Sequence, residues 1–174
     1  MPRHVRYSIL AAGLLLAGCW MGDGLYSSSD ARQPIPAGNY RAIARDEKPH
    51  LERVTLLPSG MTTIGDEDGN SVYGFAPLDR DNRRFVAWYH KGDDPSDDRA
   101  QLYMLLERRS PDEFVLFLPQ CDGAAGDIAR RAGATVEQGT TKTCLFQTRA
   151  SLEAAMRRVE ISGDAIRIIR VPGT

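Results

Sequence analysis

From residue 38 to residue 119 apolar and polar positions alternate with a period of two, the pattern of strands that bury one face. Asn39-Tyr40-Arg41-Ala42-Ile43-Ala44 and Arg53-Val54-Thr55-Leu56-Leu57 read as strands, the second closed by Pro58-Ser59-Gly60. Met61-Thr62-Thr63-Ile64 and Ser71-Val72-Tyr73-Gly74-Phe75 flank the pair Asp68-Gly69. Such a pair predicts a hairpin, because glycine supplies the positive φ that a tight turn demands. Three heavier runs follow at 84–89, 101–106 and 114–118. Near-continuous apolar runs of this length predict strands covered on both faces. They would form the centre of an antiparallel meander, joined by the acidic loop 92–99 and the turn 110–113.

Beyond Pro119 the period changes to that of a helix. Ala124, Ala125, Ile128, Ala129 and Ala132 fall on one helical face, and Gly133 is a natural stop. Residues 141–146 read as a strand carrying Cys144. Thr148 is placed to cap a second helix, whose stripe Leu152, Ala155, Met156 and Val159 follows i, i+3, i+4, i+7. Ser162-Gly163-Asp164 ends it, and 165–171 predicts a last strand. The expectation for residues 38–174 is one α+β domain, an antiparallel β-meander or half-barrel with two short helices packed near its C-terminal end.

Ahead of the domain, residues 19–37 read as a flexible tether, with Pro34 and Pro36 stiffening its end. As a coil it would span roughly 20–25 Å, with Trp20 and Tyr26 at the level of lipid headgroups. Before it lie a basic start (Arg3, His4, Arg6), an apolar run over 9–16 and the tetrad Leu16-Ala17-Gly18-Cys19. The run is far shorter than the roughly 20 residues of a membrane-crossing helix and fits the apolar region of a secretory signal. The tetrad matches what lipoprotein signal peptidase reads, so residues 1–19 resemble a bacterial lipoprotein signal. That resemblance implies cleavage before Cys19, acyl chains on Cys19, and a mature protein anchored to a membrane rather than crossing it. Trp20 stands where an Asp would mark retention in a Gram-negative inner membrane. The implied residence is the inner leaflet of the outer membrane, facing the periplasm.

Removal of residues 1–18 takes away Arg3 and Arg6 and leaves 20 basic against 23 acidic side chains, a net charge of −3. This balance excludes the clustered basic excess of a nucleic-acid binder. The pairs Arg83-Arg84, Arg108-Arg109, Arg130-Arg131 and Arg157-Arg158 each lie close to acidic residues and read as solvated surface. With Cys19 lipidated, Cys121 and Cys144 are an even pair in an oxidising compartment and are expected to form a disulfide. The loop it closes, about two dozen residues, corresponds to roughly 3 kcal/mol of stabilisation. There is no CxxC spacing, which speaks against a redox pair or metal ligands.

The remaining candidates for chemistry are few. Asp66-Glu67-Asp68-Gly69-Asn70 resembles a calcium loop superficially, but with Asp66 first the places for glycine and glutamate hold Ser71 and Pro77. Asp93, Asp94, Asp97 and Asp98 read as a solvated loop. His50, beside Pro49, reads as a turn residue, and His90 as a strand end. No nucleophile elbow, HExxH or phosphate loop is present. No catalytic residue, cofactor or metal ligand is therefore assigned. Trp88, Tyr89, Tyr103, Phe114 and Phe117 predict core, with room for a cavity because small antiparallel barrels can hold one ligand. The function expected is that of a non-catalytic, lipid-anchored envelope protein, a binding or structural module whose partners are the membrane and envelope proteins or cell wall. The alternative is a binder of a small amphiphile in a barrel-like cavity. A flat exposed apolar patch would favour the first, a ligand cavity the second, and a cleft with converging His and carboxylates an enzyme.

Overall fold

The computed structural model describes residues 18–66, 69–90, 100–139 and 141–173. The basic start and apolar run of the expected signal, the turn residues Glu67 and Asp68, and the acidic loop 91–99 lie outside them. Its strands are β1 (Trp20–Asp23), β2 (Gly38–Ile43), β3 (His50–Leu56), β4 (Thr62–Asp66), β5 (Gly69–Pro77), β6 (Arg84–His90), β7 (Ala100–Ser110), β8 (Glu113–Phe117), β9 (Thr135–Gln138), β10 (Lys142–Leu145) and β11 (Ile166–Arg170). Two helices, α1 (Gly123–Arg131) and α2 (Arg149–Met156), separate β8 from β11.

Strands β2 to β8 pair each with the next, all antiparallel, and β11 enters between β8 and β2. Ile168 lies opposite Ala42 on one side and Phe114 on the other. These ladders close an eight-stranded barrel, a step beyond the expected meander or half-barrel. The reason is the last strand, whose Ile166, Ile168 alternation matches the inward faces of both neighbours, so the sheet has no free edge there.

Alternation divides the apolar side chains into two cores. Inward-facing Tyr40, Phe75, Phe85, Leu106, Phe114 and Ile168 fill the barrel. Outward-facing Val86, Trp88, Tyr103, Leu105 and Phe117 form a second core with α1, α2 and β1. Trp88 lies directly opposite Gly74. A Cβ at residue 74 would overlap the indole, so glycine is required there by close approach. The helical stripes behave as expected: Ala129, Leu152, Ala155, Met156 and Val159 are buried, and the Thr148 side chain accepts from Ser151 N–H. Arg84 closes the other end of α2 by donating to the carbonyls of Met156, Arg157 and Val159.

Two local expectations are corrected and one strand is added. Residues 19–37 are not a tether: β1 pairs with β7 and, in parallel, with β10, and Trp20, Tyr26, Ala31 and Ile35 are buried. Their apolar side chains are too widely spaced to show a period, yet each enters a core. At Tyr26 the backbone is satisfied by the Gln101 amide, which accepts from Tyr26 N–H and donates to Tyr26 C=O. His50 is the first residue of β3 rather than a turn residue. Residues 135–138, unassigned from the sequence, form β9 against β10.

Candidate functional site

The two ends of the barrel differ. At one, Ile35 is buried among the interior side chains and the Tyr40 hydroxyl donates to the Pro36 carbonyl at 2.9 Å. At the other, β3, β4 and β5 place polar residues at inward positions. His50, Glu52 and Val54 share one face of β3, because residues two apart on a strand do, and Val54 belongs to the interior core. By the same alternation Asp66 follows Ile64, and Ser71 precedes Tyr73.

His50 Nε2 lies 2.9 Å from Glu52 Oε1. The Glu52 side chain is 1% exposed and that of His50 23%. The second Glu52 oxygen, His50 Nδ1 and the Tyr73 hydroxyl are buried with no hydrogen-bond partner among the described residues. Burial pushes the Glu52 carboxyl above its ordinary value, against the hydrogen bond and charge of His50, while Asp66 adds to the rise. Burial likewise raises the Tyr73 phenol, with Tyr89 and Glu52 contributing. Ser71 is close enough to oppose that shift but not in hydrogen-bond geometry with it. Tyr73 therefore stays a neutral hydroxyl.

Across the same end the lining is apolar. Tyr89 at the end of β6, Leu118 just after β8 and Ile166 at the start of β11 are half-buried and pack on the interior core. Tyr89 is the cross-strand partner of Tyr73, with ring centroids 5.6 Å apart. Over the rim of β2–β5 lies an open depression of about 630 Å³, bounded by Asn39, Leu51, Arg53 and Asn70 outside and by His50, Glu52 and Asp66.

The chemistry open to this arrangement is hydrogen bonding and proton holding. A histidine and carboxylates do converge here, but His50 Nδ1 has no hydroxyl in hydrogen-bond reach, so no nucleophile–base pair is assembled among the described residues. The same residues contain no cluster of metal-ligating side chains.

Of the residues singled out in the sequence, His50, Asp66 and Tyr89 lie at this end, and the three cysteines lie elsewhere. Cys121 and Cys144 form the expected disulfide, with Cα atoms 5.2 Å apart, joining the chain two residues before α1 to β10. Cys19 is outside that disulfide and buried. It forms a β-bridge with Gln120, its carbonyl accepts from Cys144 N–H, and burial raises its thiol. Sequence reasoning misses Glu52 and Tyr73. The one available signal is a carboxylate in phase with inward apolar positions, legible only with the start of β3 correctly placed. No known family, curated protein or solved structure matches this chain.

Proposed function

We propose that this chain is a lipid-anchored cell-envelope protein whose barrel holds one small amphiphilic molecule at the end formed by β3, β4 and β5. One observation carries the reading: at one end of the barrel, Glu52 Oε2 and the Tyr73 hydroxyl are buried without partners, with half-buried Tyr89, Leu118 and Ile166 packed on the interior core at the same end. A buried polar atom left unpaired costs about 1–3 kcal/mol, and such groups call for a ligand or water to satisfy them. An amphiphile meets both demands, its head taking the polar arc and its tail covering the apolar one.

A broad apolar docking patch has less support. Among the described residues the exposed large apolar side chains are Leu51 and Leu56, too few for a contiguous patch of the size partner proteins use. The envelope assignment rests on the Leu16-Ala17-Gly18-Cys19 tetrad and on the disulfide, which suits an exported protein.

The test is organic extraction and mass spectrometry of protein purified from the envelope. Wild-type protein should release an amphiphile in stoichiometric amount, and Ile166→Glu, which puts a charge on the apolar arc, should not. Equal small-molecule content in the two proteins would remove the reading.

A further inference from the structure

We infer that the head group taken at this mouth is a hydrogen-bond donor carrying positive charge, a primary ammonium, rather than a carboxylate or phosphate. The inference rests on the ligand-binding reading above and follows from which atoms are left open. His50 Nε2 and Glu52 Oε1 lie 2.9 Å apart, and in the neutral tautomer whose Nε2–H donates to that oxygen the ring's Nδ1 is an acceptor. Glu52 Oε2 is an acceptor as well, and the Tyr73 hydroxyl can accept. All three lack partners. An ammonium brings three N–H donors and no acceptor, so the complement of one matches the complement of the other.

Charge points the same way. Among the described residues, the charged groups at inward positions here are Glu52 and Asp66, with His50 the basic side chain beside them. Arg41 and Arg53 sit on the same strands but at alternate, exposed positions on the outer wall. Glu52 is almost completely withdrawn from water, where the effective dielectric is low and like charges repel strongly. An anionic head would meet the Glu52 carboxylate, and a cationic one would pair with it through charge-assisted hydrogen bonds.

Isothermal titration of the full mature chain carrying Cys19→Ser, which needs no detergent, decides the point with three probes of equal tail: octylammonium, octanol and octanoate, each below its micelle-forming concentration. Octylammonium should bind at least about tenfold more tightly than octanoate, with octanol between them. Glu52→Gln should weaken octylammonium by about tenfold while leaving octanol within about threefold, and Tyr73→Phe should weaken octylammonium less. Octanoate binding as well as octylammonium, or an ammonium preference that survives Glu52→Gln in a folded variant, would overturn the inference. Failure of all three probes to bind would instead bring down the ligand reading itself. Should Glu52→Gln not fold, the wild-type ranking and Tyr73→Phe still separate a cationic head from an anionic one.

Discussion

Around Glu52, one imidazole edge stands in for the water that a carboxylate normally has, and this has a consequence for stability. A carboxyl held above its ordinary value in the folded state binds its proton more tightly there than in the unfolded chain, so stability falls as pH rises through the raised value. Glu52→Gln removes that dependence. In urea unfolding, the variant should gain on the wild type as pH rises above the ordinary carboxyl value of 4.5 and hold a constant lead once the raised value is passed. A difference that shows no such gain, or moves the other way, would show that Glu52 is not so held. This residue is hidden in the sequence for a plain reason. Among 23 acidic side chains nothing local distinguishes one that faces inward, and reading Pro49-His50 as a turn moves the start of β3 past it. Trp88 and Phe114, by contrast, are legible as core because large apolar side chains are rarely left in water.

At the level of elements, what the sequence reveals is whatever carries a period. The helical stripes and the heavy strands 84–89, 101–106 and 114–118 do so over a whole element, whereas residues 20–37 are held by single side chains at irregular intervals. Tyr26 stacks on Trp88 with ring centroids 4.8 Å apart, and its hydroxyl donates to Glu153 on α2. Arg149 lies over the Tyr26 ring and pairs with both Asp30 and Glu153. Burial alone would raise Asp30 and Glu153, but hydrogen bonds outweigh it, from Ser27 and Arg149 for the first and from Arg149, Arg157 and Tyr26 for the second. Both carboxyls are held below their ordinary values of 3.8 and 4.5. Their contribution is therefore complete above those values and lost as pH falls through the depressed ones. Glu153→Gln should lower the melting temperature and the amide protection of 20–31 at neutral pH, and its deficit should shrink below about pH 4. A deficit of the same size at pH 7 and pH 3 would mean that packing, not charge, holds this segment.

On the scale of the molecule, the closed barrel is only half legible. Closure depends on β2 and β11, more than a hundred positions apart, and period alone does not report which distant strands meet. The fold also alters what an anchor at Cys19 would do. With β1 starting at Trp20, no coil intervenes, and the barrel would rest on the bilayer instead of some 20 Å above it. Cys19→Ser should release the protein from membranes with its thermal melt nearly unchanged, because the substitution leaves β1 intact. Variant protein that still pellets with membranes after a high-salt wash would show that something other than a lipid on Cys19 holds it there.

The strand that shuts the cylinder is also the last of the described strands to be made. For a chain threaded through a membrane from its N-terminus, β2 and β8 wait as raw edges, each a template for pairing with a neighbouring chain, until residues 166–170 arrive. Were the chain exported, sealing would be deferred to the far side of the membrane, and an escort would meet an open ribbon rather than a finished vessel. A stop codon a dozen places early would not give a smaller barrel; it would give one that never latches.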